Sequence, residues 1–437
     1  MMPKTPLMFV ATSDLAGKLR GKAFPADQLN KRLQRGVGWT PTNVQINCFD
    51  GIAESPFGAL GDLLLIPDAT AEAKVEFGED SGLHFLMGDI VTLDGDPWDF
   101  CTRSLLRAAL ERLHKVSGAN LLAAFEHEFQ LKDPPSQANE AYGHRGFGLQ
   151  RDLCETLINA ISQVGLKPDS IMKEYGPNQY EVVIGPELGV RAADAAIMVR
   201  ELTYATAQAY GERATYTPIR DVASVGNGVH IHMSFVDDSG APLTYAEDGP
   251  CGMSDLTSAF AAGVLKYLDA ILALTAPSVI SYERLTPHRW SAAFNNLGFR
   301  DREASLRICP VTAKDPASIA GQFNIEYRAA DAAASPHLAL AAVVMAGAQG
   351  IEEGLPAPVP TEEDLSLLDV AELNQRGLVR LPQTLEDALD RFVSNPVVIG
   401  WFPAGFAEVY QAHKQSEIAT TAHLDTDARC RLYEETY

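Results

Sequence analysis

The chain has 437 residues, 46% of them hydrophobic, enough to bury at least one large core spread over two or three domains. Its formal charge of -22 at pH 7 repels nucleic acid and anionic lipid, so an anionic substrate must enter through a local pocket of arginine, lysine or metal. Six scattered cysteines without a CxxC pair, the lack of a signal-like N-terminal segment and the lack of an apolar run near ~20 residues predict a cytoplasmic protein with reduced thiols and no membrane or nucleic-acid partner.

Up to about residue 100 the chain reads as short extended stretches and turns: residues 3–12, the Arg20-Gly21-Lys22 turn, residues 43–49 and the run 61–68. These predict a small β-rich domain over residues 1–100. From Thr102 onward Leu105, Leu106, Ala109, Leu110 and Leu113 recur at helical period, which marks the start of a second unit, residues 101–437. There, amphipathic helices near 148–163, 192–213, 255–274 and 337–353 alternate with short strands, and Ser254 is placed to cap the third helix. The fold class is α+β. A proline-rich stretch, residues 355–360, leads into a helical C-terminal section.

Four predicted strands carry polar side chains on one face of the period-two pleat. Glu126 and Glu128 share a face of 123–131, and Glu181 stands among apolar residues in 178–184, with Glu174 just upstream. His230, His232 and Ser234 share a face of 228–234, and Glu326 pairs with Arg328 in 323–328. Singly, each pattern is explained by a solvated strand face or a packed histidine. Together, five carboxylates and a histidine facing one cavity require cations, because like charges in contact repel by several kcal/mol at low dielectric. Mg²⁺ or Mn²⁺ suits a carboxylate-rich set with a lone imidazole better than zinc does. Arg284, Arg302, Arg307 and Arg328 supply guanidinium forks for carboxylates and phosphates. There is no Walker A sequence and no GxGxxG.

In this order along the chain, these segments resemble the glutamine synthetase family. Asp14-x-x-Gly17-x-x-Arg20-Gly21-Lys22 and Leu65-Ile66-Pro67-Asp68 are similar to landmarks of its β-grasp domain. Glu126-His127-Glu128-Phe129, Glu174 through Glu181, residues 226–234, 281–285, 302–307 and 324–328 are similar to its successive catalytic-domain motifs. The resemblance implies an N-terminal β-grasp domain followed by a large catalytic domain built on an antiparallel sheet. It also implies an ATP-dependent ligase that joins an amine to a glutamate side-chain carboxylate through an acyl phosphate. Carried over by position, Glu128, Glu174 and Glu181 hold one metal, and Glu126, His230 and Glu326 hold another on the ATP phosphates. His232 and Ser234 contact the nucleotide, Arg302 and Arg307 the phosphates, and Arg284, Arg328 and Gly226 the glutamate; Arg302 and Arg328 also assist catalysis. The Phe49-Asp50-Gly51 segment brings a catalytic carboxylate, Asp50, from a neighbouring subunit, so a ring-shaped homo-oligomer, dodecamer or decamer, is implied.

The departures bear on the nucleophile. Where ammonia-using members carry a flap glutamate, the stretch Thr286-Pro287-His288-Arg289-Trp290 places Trp290. An indole covers the hydrocarbon part of a larger amine, so Trp290 is expected to bind an organic amine. Val225 and Asp301 stand where the family carries asparagines, and Gly321 and Asn324 where it carries basic residues. The leading expectation is a γ-glutamyl-amide ligase; an ammonia-using glutamine synthetase and a catalytically poor regulatory paralogue are the alternatives.

Overall fold

The structure is a computed structural model that describes residues 4–78, 82–134 and 140–437. The N-terminal sheet contains β1 (Leu7–Ser13), β2 (Leu19–Pro25), β3 (Val37–Trp39), β4 (Leu63–Glu76) and β5 (Gly82–Val91), in the order β2-β1-β5-β4-β3. All neighbours are antiparallel except β1 and β5. Two expectations about this region need correction. Arg20-Gly21-Lys22 is not a turn but the middle of β2; its glycine admits the Val10 carbonyl, which a Cβ would meet at 1.8 Å. Residues 43–49 are not extended, because Pro41 opens a short 3₁₀ helix, Pro41–Gln45. The Asn47 side chain then closes a tight loop by accepting from the amides of Phe49 and Gly51.

The second, nine-stranded sheet holds the larger part of the chain's polar strand residues. It comprises β6 (Asn120–Leu131), β7 (Pro168–Lys173), β8 (Gln179–Ile184), β9 (Glu187–Leu188), β10 (Ala214–Thr215), β11 (Val229–Val236), β12 (Leu297–Phe299), β13 (Leu306–Ile308) and β14 (Ile325–Ala330). Its order is β12-β13-β14-β11-β6-β8-β7, with β9 and β10 also paired to β6. The pairs are antiparallel, apart from a parallel β12–β13 pair at the edge. Its back is covered by helices Thr102–Ser117, Val190–Ala209, Asp255–Thr275 and Pro336–Glu352, which share one apolar core with it. The Asp255–Thr275 helix is capped by Ser254, whose side chain accepts from the Thr257 amide. By length and composition alone it is apolar enough to cross a membrane, although Lys266 and Asp269 interrupt its apolar run. Here its apolar face is core: Phe260, Val264, Leu268, Ile271 and Leu272 are fully buried, each contributing roughly 1.5–3 kcal/mol. It crosses the Pro336–Glu352 helix where Gly263 meets Gly350, a contact so close that a Cβ on Gly263 would lie 2.7 Å from the Gly350 nitrogen.

A buried cation joins the N-terminal sheet to the helices behind the second sheet. Arg103, at the start of the Thr102–Ser117 helix, reaches Asp68 of β4 at 2.7 Å, Asp89 of β5 at 2.9 Å and Asp194 at 2.8 Å. His337 completes the set, 2.9 Å from the other Asp194 oxygen.

Candidate active site

Register, rather than local sequence, assembles the site. On β6, Glu126 and Glu128 point to the same face. Antiparallel pairing sets His230 of β11 opposite Glu126, and His232 opposite Glu326 of β14. On the other side, β8 sets Glu181 opposite Glu128. His230 Nδ1 lies 3.2 Å from Glu126 Oε2, while His232 Nε2 lies 3.0 Å from Glu126 Oε1 and 3.1 Å from Glu326 Oε2. Glu128 Oε2 accepts from the Gly228 amide at 2.7 Å. Glu174 sits in the loop that follows β7. These seven side chains, with Arg284, Arg302, Arg307, Arg328 and Trp290, line one cavity of about 570 Å³.

The electrostatics divide this floor into two halves. Burial pushes Glu181 up to about 9, with the charges of Glu126, Glu128 and Glu174 adding to it. Burial likewise pushes Glu128 up to about 7, partly offset by the Gly228 hydrogen bond and worsened by Glu174. Burial would raise Glu126 and Glu326 too, but their histidine and arginine partners outweigh it and hold both carboxyls well below the usual carboxylate range. One half therefore lacks counter-charge and holds protons near neutral pH where a cation would replace them, and the other is neutralised by cationic side chains. Ligand atoms of Glu126, Glu181 and His230 lie within 4.8 Å of one another, as a shared ion requires. An oxygen-rich donor set whose members repel one another fits a hard divalent cation.

Arg328 Nη1 is 2.5 Å and Arg307 Nη1 3.1 Å from the same Glu326 oxygen. Arg284 is buried, donating to Ser291 Oγ at 3.2 Å and to the Ala330 carbonyl at 2.7 Å. Gly226 is required beside it, since a Cβ there would lie 2.7 Å from Arg284 Cγ. Among the described residues Arg302 has no ion-pair partner, and its guanidinium faces the cavity.

The mouth is built differently. His288 and Trp290 both have positive φ, 65° and 52°, and the Glu303 carboxylate accepts from their amides at 3.0 and 3.1 Å. Glu303 is thus occupied in holding the loop. Arg328 Nη2 donates to the Trp290 carbonyl at 3.2 Å, tying the mouth to the floor. The indole, 47% exposed, meets the Tyr175 ring edge-to-face at 5.0 Å. Tyr175 is positioned by its neighbour Lys173, a buried ammonium that donates to the carbonyls of Glu174 and Gly176, the latter at 2.7 Å. Burial brings Lys173 down to about 8, against the pull of Glu174.

Two predicted residues lie outside this cavity. Ser234 is one pleat beyond His232 along β11. Asp50 sits on the Asn47 loop with φ 61°, largely exposed and 3.0 Å from Arg20 Nη2. Conversely, Tyr142, Met172, Cys309 and Pro310 line the cavity although no sequence pattern singled them out. Cys309 was within reach of the alternation rule, because it lies two residues beyond Arg307.

This arrangement, a small sheet domain beside a carboxylate- and arginine-lined sheet, matches a known class. Residues 3–98 match the model of the glutamine synthetase N-terminal domain, and residues 99–433 that of the glutamine synthetase catalytic domain. The chain belongs to the glutamine synthetase family, whose members are ATP-dependent, metal-using C–N ligases. It is 31% identical to the γ-glutamylpolyamine synthetase GlnA3 of Streptomyces coelicolor over 440 residues, 98% of this chain and 93% of that protein. It is 29% identical to a glutamine synthetase of Thermococcus kodakarensis, covering 91% and 86% of the two chains. A crystal structure described as a novel glutamine synthase homolog superposes with TM-score 0.91 at 40% identity over the full length of both chains. GmaS in complex with ADP shares the fold, with TM-score 0.82 at 24% identity over 98% of this chain and 96% of its own.

Proposed function

We propose that the protein joins the γ-carboxylate of glutamate to an organic amine, using ATP and passing through a γ-glutamyl phosphate. The observation that carries this reading is the pairing of a carboxylate floor with an aromatic mouth. At the mouth, Trp290 and Tyr175 present apolar faces, and the nearby acid, Glu303, is committed to backbone amides. The likeness to a γ-glutamylpolyamine synthetase supports an amine larger than ammonia.

In this reading Glu128, Glu174 and Glu181 hold one Mg²⁺ or Mn²⁺ ion, and Glu126, His230 and Glu326 another. When bound, the ions neutralise phosphate and carboxylate charge. Arg284 and Arg328 orient the glutamate, with Gly226 leaving room for it. Arg302 and Arg307 bind the transferring phosphoryl group, and His232 and Ser234 face the nucleotide. Phosphoryl transfer forms the bond from the γ-phosphorus to the glutamate oxygen and releases ADP. The neutral amine nitrogen then attacks the acyl carbon, phosphate leaves, and a carboxylate takes the amine's proton. Asp50 fills that role from a neighbouring subunit in a dodecameric or decameric ring, which accounts for its exposure in the single chain.

The test is phosphate release with ATP, Mg²⁺ and glutamate across a panel of mono-, di- and polyamines and ammonium. An organic amine is expected to give the highest kcat/KM. If ammonium gives it, the protein is a glutamine synthetase and Trp290 only packs the mouth. If no amine stimulates release, the regulatory alternative stands. Light scattering of the same preparation checks the ring: an active monomer removes Asp50 from the reaction.

A further inference from the structure

Cys309 lies at the inner wall of the cavity, directly after β13, and is nine-tenths buried. Its Sγ is 3.4 Å from Glu326 Oε2 and 3.5 Å from His232 Nδ1. Ligand atoms of His232, Cys309 and Glu326 all fall within 4.8 Å of one another. The histidine is also oriented from behind. Asn324 Oδ1 lies 2.8 Å from His232 Nδ1 and, as a carbonyl oxygen, accepts that N–H, which leaves Nε2, turned toward the two carboxylates, as the nitrogen a metal would take in place of a proton. Nε2 is 3.1 Å from Glu326 Oε2 and 3.0 Å from Glu126 Oε1. The 3.4 Å Sγ–Oε2 separation falls within the edges of about 3.3–3.8 Å that a tetrahedral ion with bonds of ~2.0–2.3 Å imposes on its ligands, and the 3.1 Å Nε2–Oε2 separation just short of them.

The geometry points to a second mode of metal binding in this cavity: a thiophilic cation such as Zn²⁺ held by Cys309, His232 and Glu326, inhibiting the ligase by taking Glu326 from the hard-metal set. Softness separates the two modes. A thiolate contributes little to Mg²⁺ and strongly to Zn²⁺, so adding one sulfur to a carboxylate-imidazole pair shifts preference toward the softer ion. Binding releases the thiol proton and the proton on His232 Nε2 to solvent and changes no oxidation state. The inhibitory part rests on the ligase reading above; the binding part does not.

The experiment has two arms on the purified full chain. In the first, Co²⁺ is titrated into wild type and Cys309→Ser, with Mg²⁺ absent. A near-ultraviolet thiolate-to-cobalt charge-transfer band in wild type, absent from the variant and displaced by Zn²⁺, is expected. In the second, phosphate release is inhibited by Zn²⁺ at several Mg²⁺ concentrations, each protein being compared with its own zinc-free rate. Wild type is expected to need at least tenfold less zinc than Cys309→Ser for half-inhibition, with the required zinc rising as Mg²⁺ rises. Equal cobalt spectra in the two proteins, or equal zinc sensitivity, overturns the assignment. An inactive enzyme that still gives the cysteine-dependent band overturns the ligase reading and leaves the site standing. Cys309→Ala serves as the second variant if the serine protein does not fold.

Discussion

The floor and the mouth of the cavity are made by opposite means. The floor is strand-borne: each of its side chains except Glu174 and the arginines of the loops is fixed by a register that cannot slip without turning the face inside out. The mouth is loop-borne, held in positive-φ conformations by one carboxylate and one aromatic contact. Chemistry common to a family is suited to the first kind of construction, and choice of partner to the second, since loops exchange residues without disturbing a sheet.

Substitutions within the floor should show the largest effects and should separate its two halves. Glu326→Gln leaves Arg307, Arg328 and His232 without their shared counter-charge, so it is expected to cut kcat/KM by at least about a thousandfold. It should also lower folding stability by ~3–5 kcal/mol, read by denaturant titration. Glu181→Gln should abolish metal-dependent turnover equally, yet raise the stability of the metal-free protein at neutral pH. An equal loss of stability in both variants would mean that the floor is not divided.

The same division sets a pH dependence. Glu128 and Glu181 have folded-state values of about 7 and about 9, above the ordinary carboxylate value. A raised folded value means that their contribution is fully present below the unfolded value and is lost as pH rises through the folded one. Stability of the metal-free protein should therefore fall between about pH 5 and 9. Adding Mg²⁺ or Mn²⁺ near pH 7.5 should release about one proton per chain, measured in weak buffer, because the ligands bind as anions. No proton release would contradict the raised values.

Effects at the mouth should be smaller and confined to choice of amine. Trp290→Glu is expected to move the organic-amine-to-ammonium ratio of kcat/KM by about tenfold towards ammonium, since an indole face contributes ~1–2 kcal/mol of apolar contact. Tyr175→Ala removes the edge-to-face partner and should shift the same ratio by about threefold, from the ~0.5–1.5 kcal/mol that such a pair contributes. If either change reduces phosphoryl transfer as strongly as Glu326→Gln does, floor and mouth are not separable.

The same contrast explains what was legible in the sequence. Period-two alternation exposed Glu126 with Glu128 and His230 with His232, because a strand's two faces are written in its own residues. It did not reveal that Glu181 stands opposite Glu128 or His232 opposite Glu326, since pairing partners lie 53 and 94 positions apart in the chain. Lys173, at the end of β7, and Tyr175, in the loop after it, escaped notice because their function depends on which carbonyls and rings fold over them. Arg20-Gly21-Lys22 misled for a related reason: glycine marks close backbone approach as well as turns.

The ties around Arg103 bear on how a substrate gets in. Parting the N-terminal sheet from the helices behind the second sheet would take Arg103 from Asp68 and Asp89 and leave it only Asp194, at a cost of several kcal/mol that leaves the parted arrangement almost unpopulated. Swinging of the N-terminal sheet away from those helices is therefore closed to this molecule. The cavity itself is lined only by residues between Glu126 and Arg328, so a movement of its rim needs no movement of the N-terminal sheet: shifting the Trp290 segment would break just the two amide contacts to Glu303 and the one from Arg328.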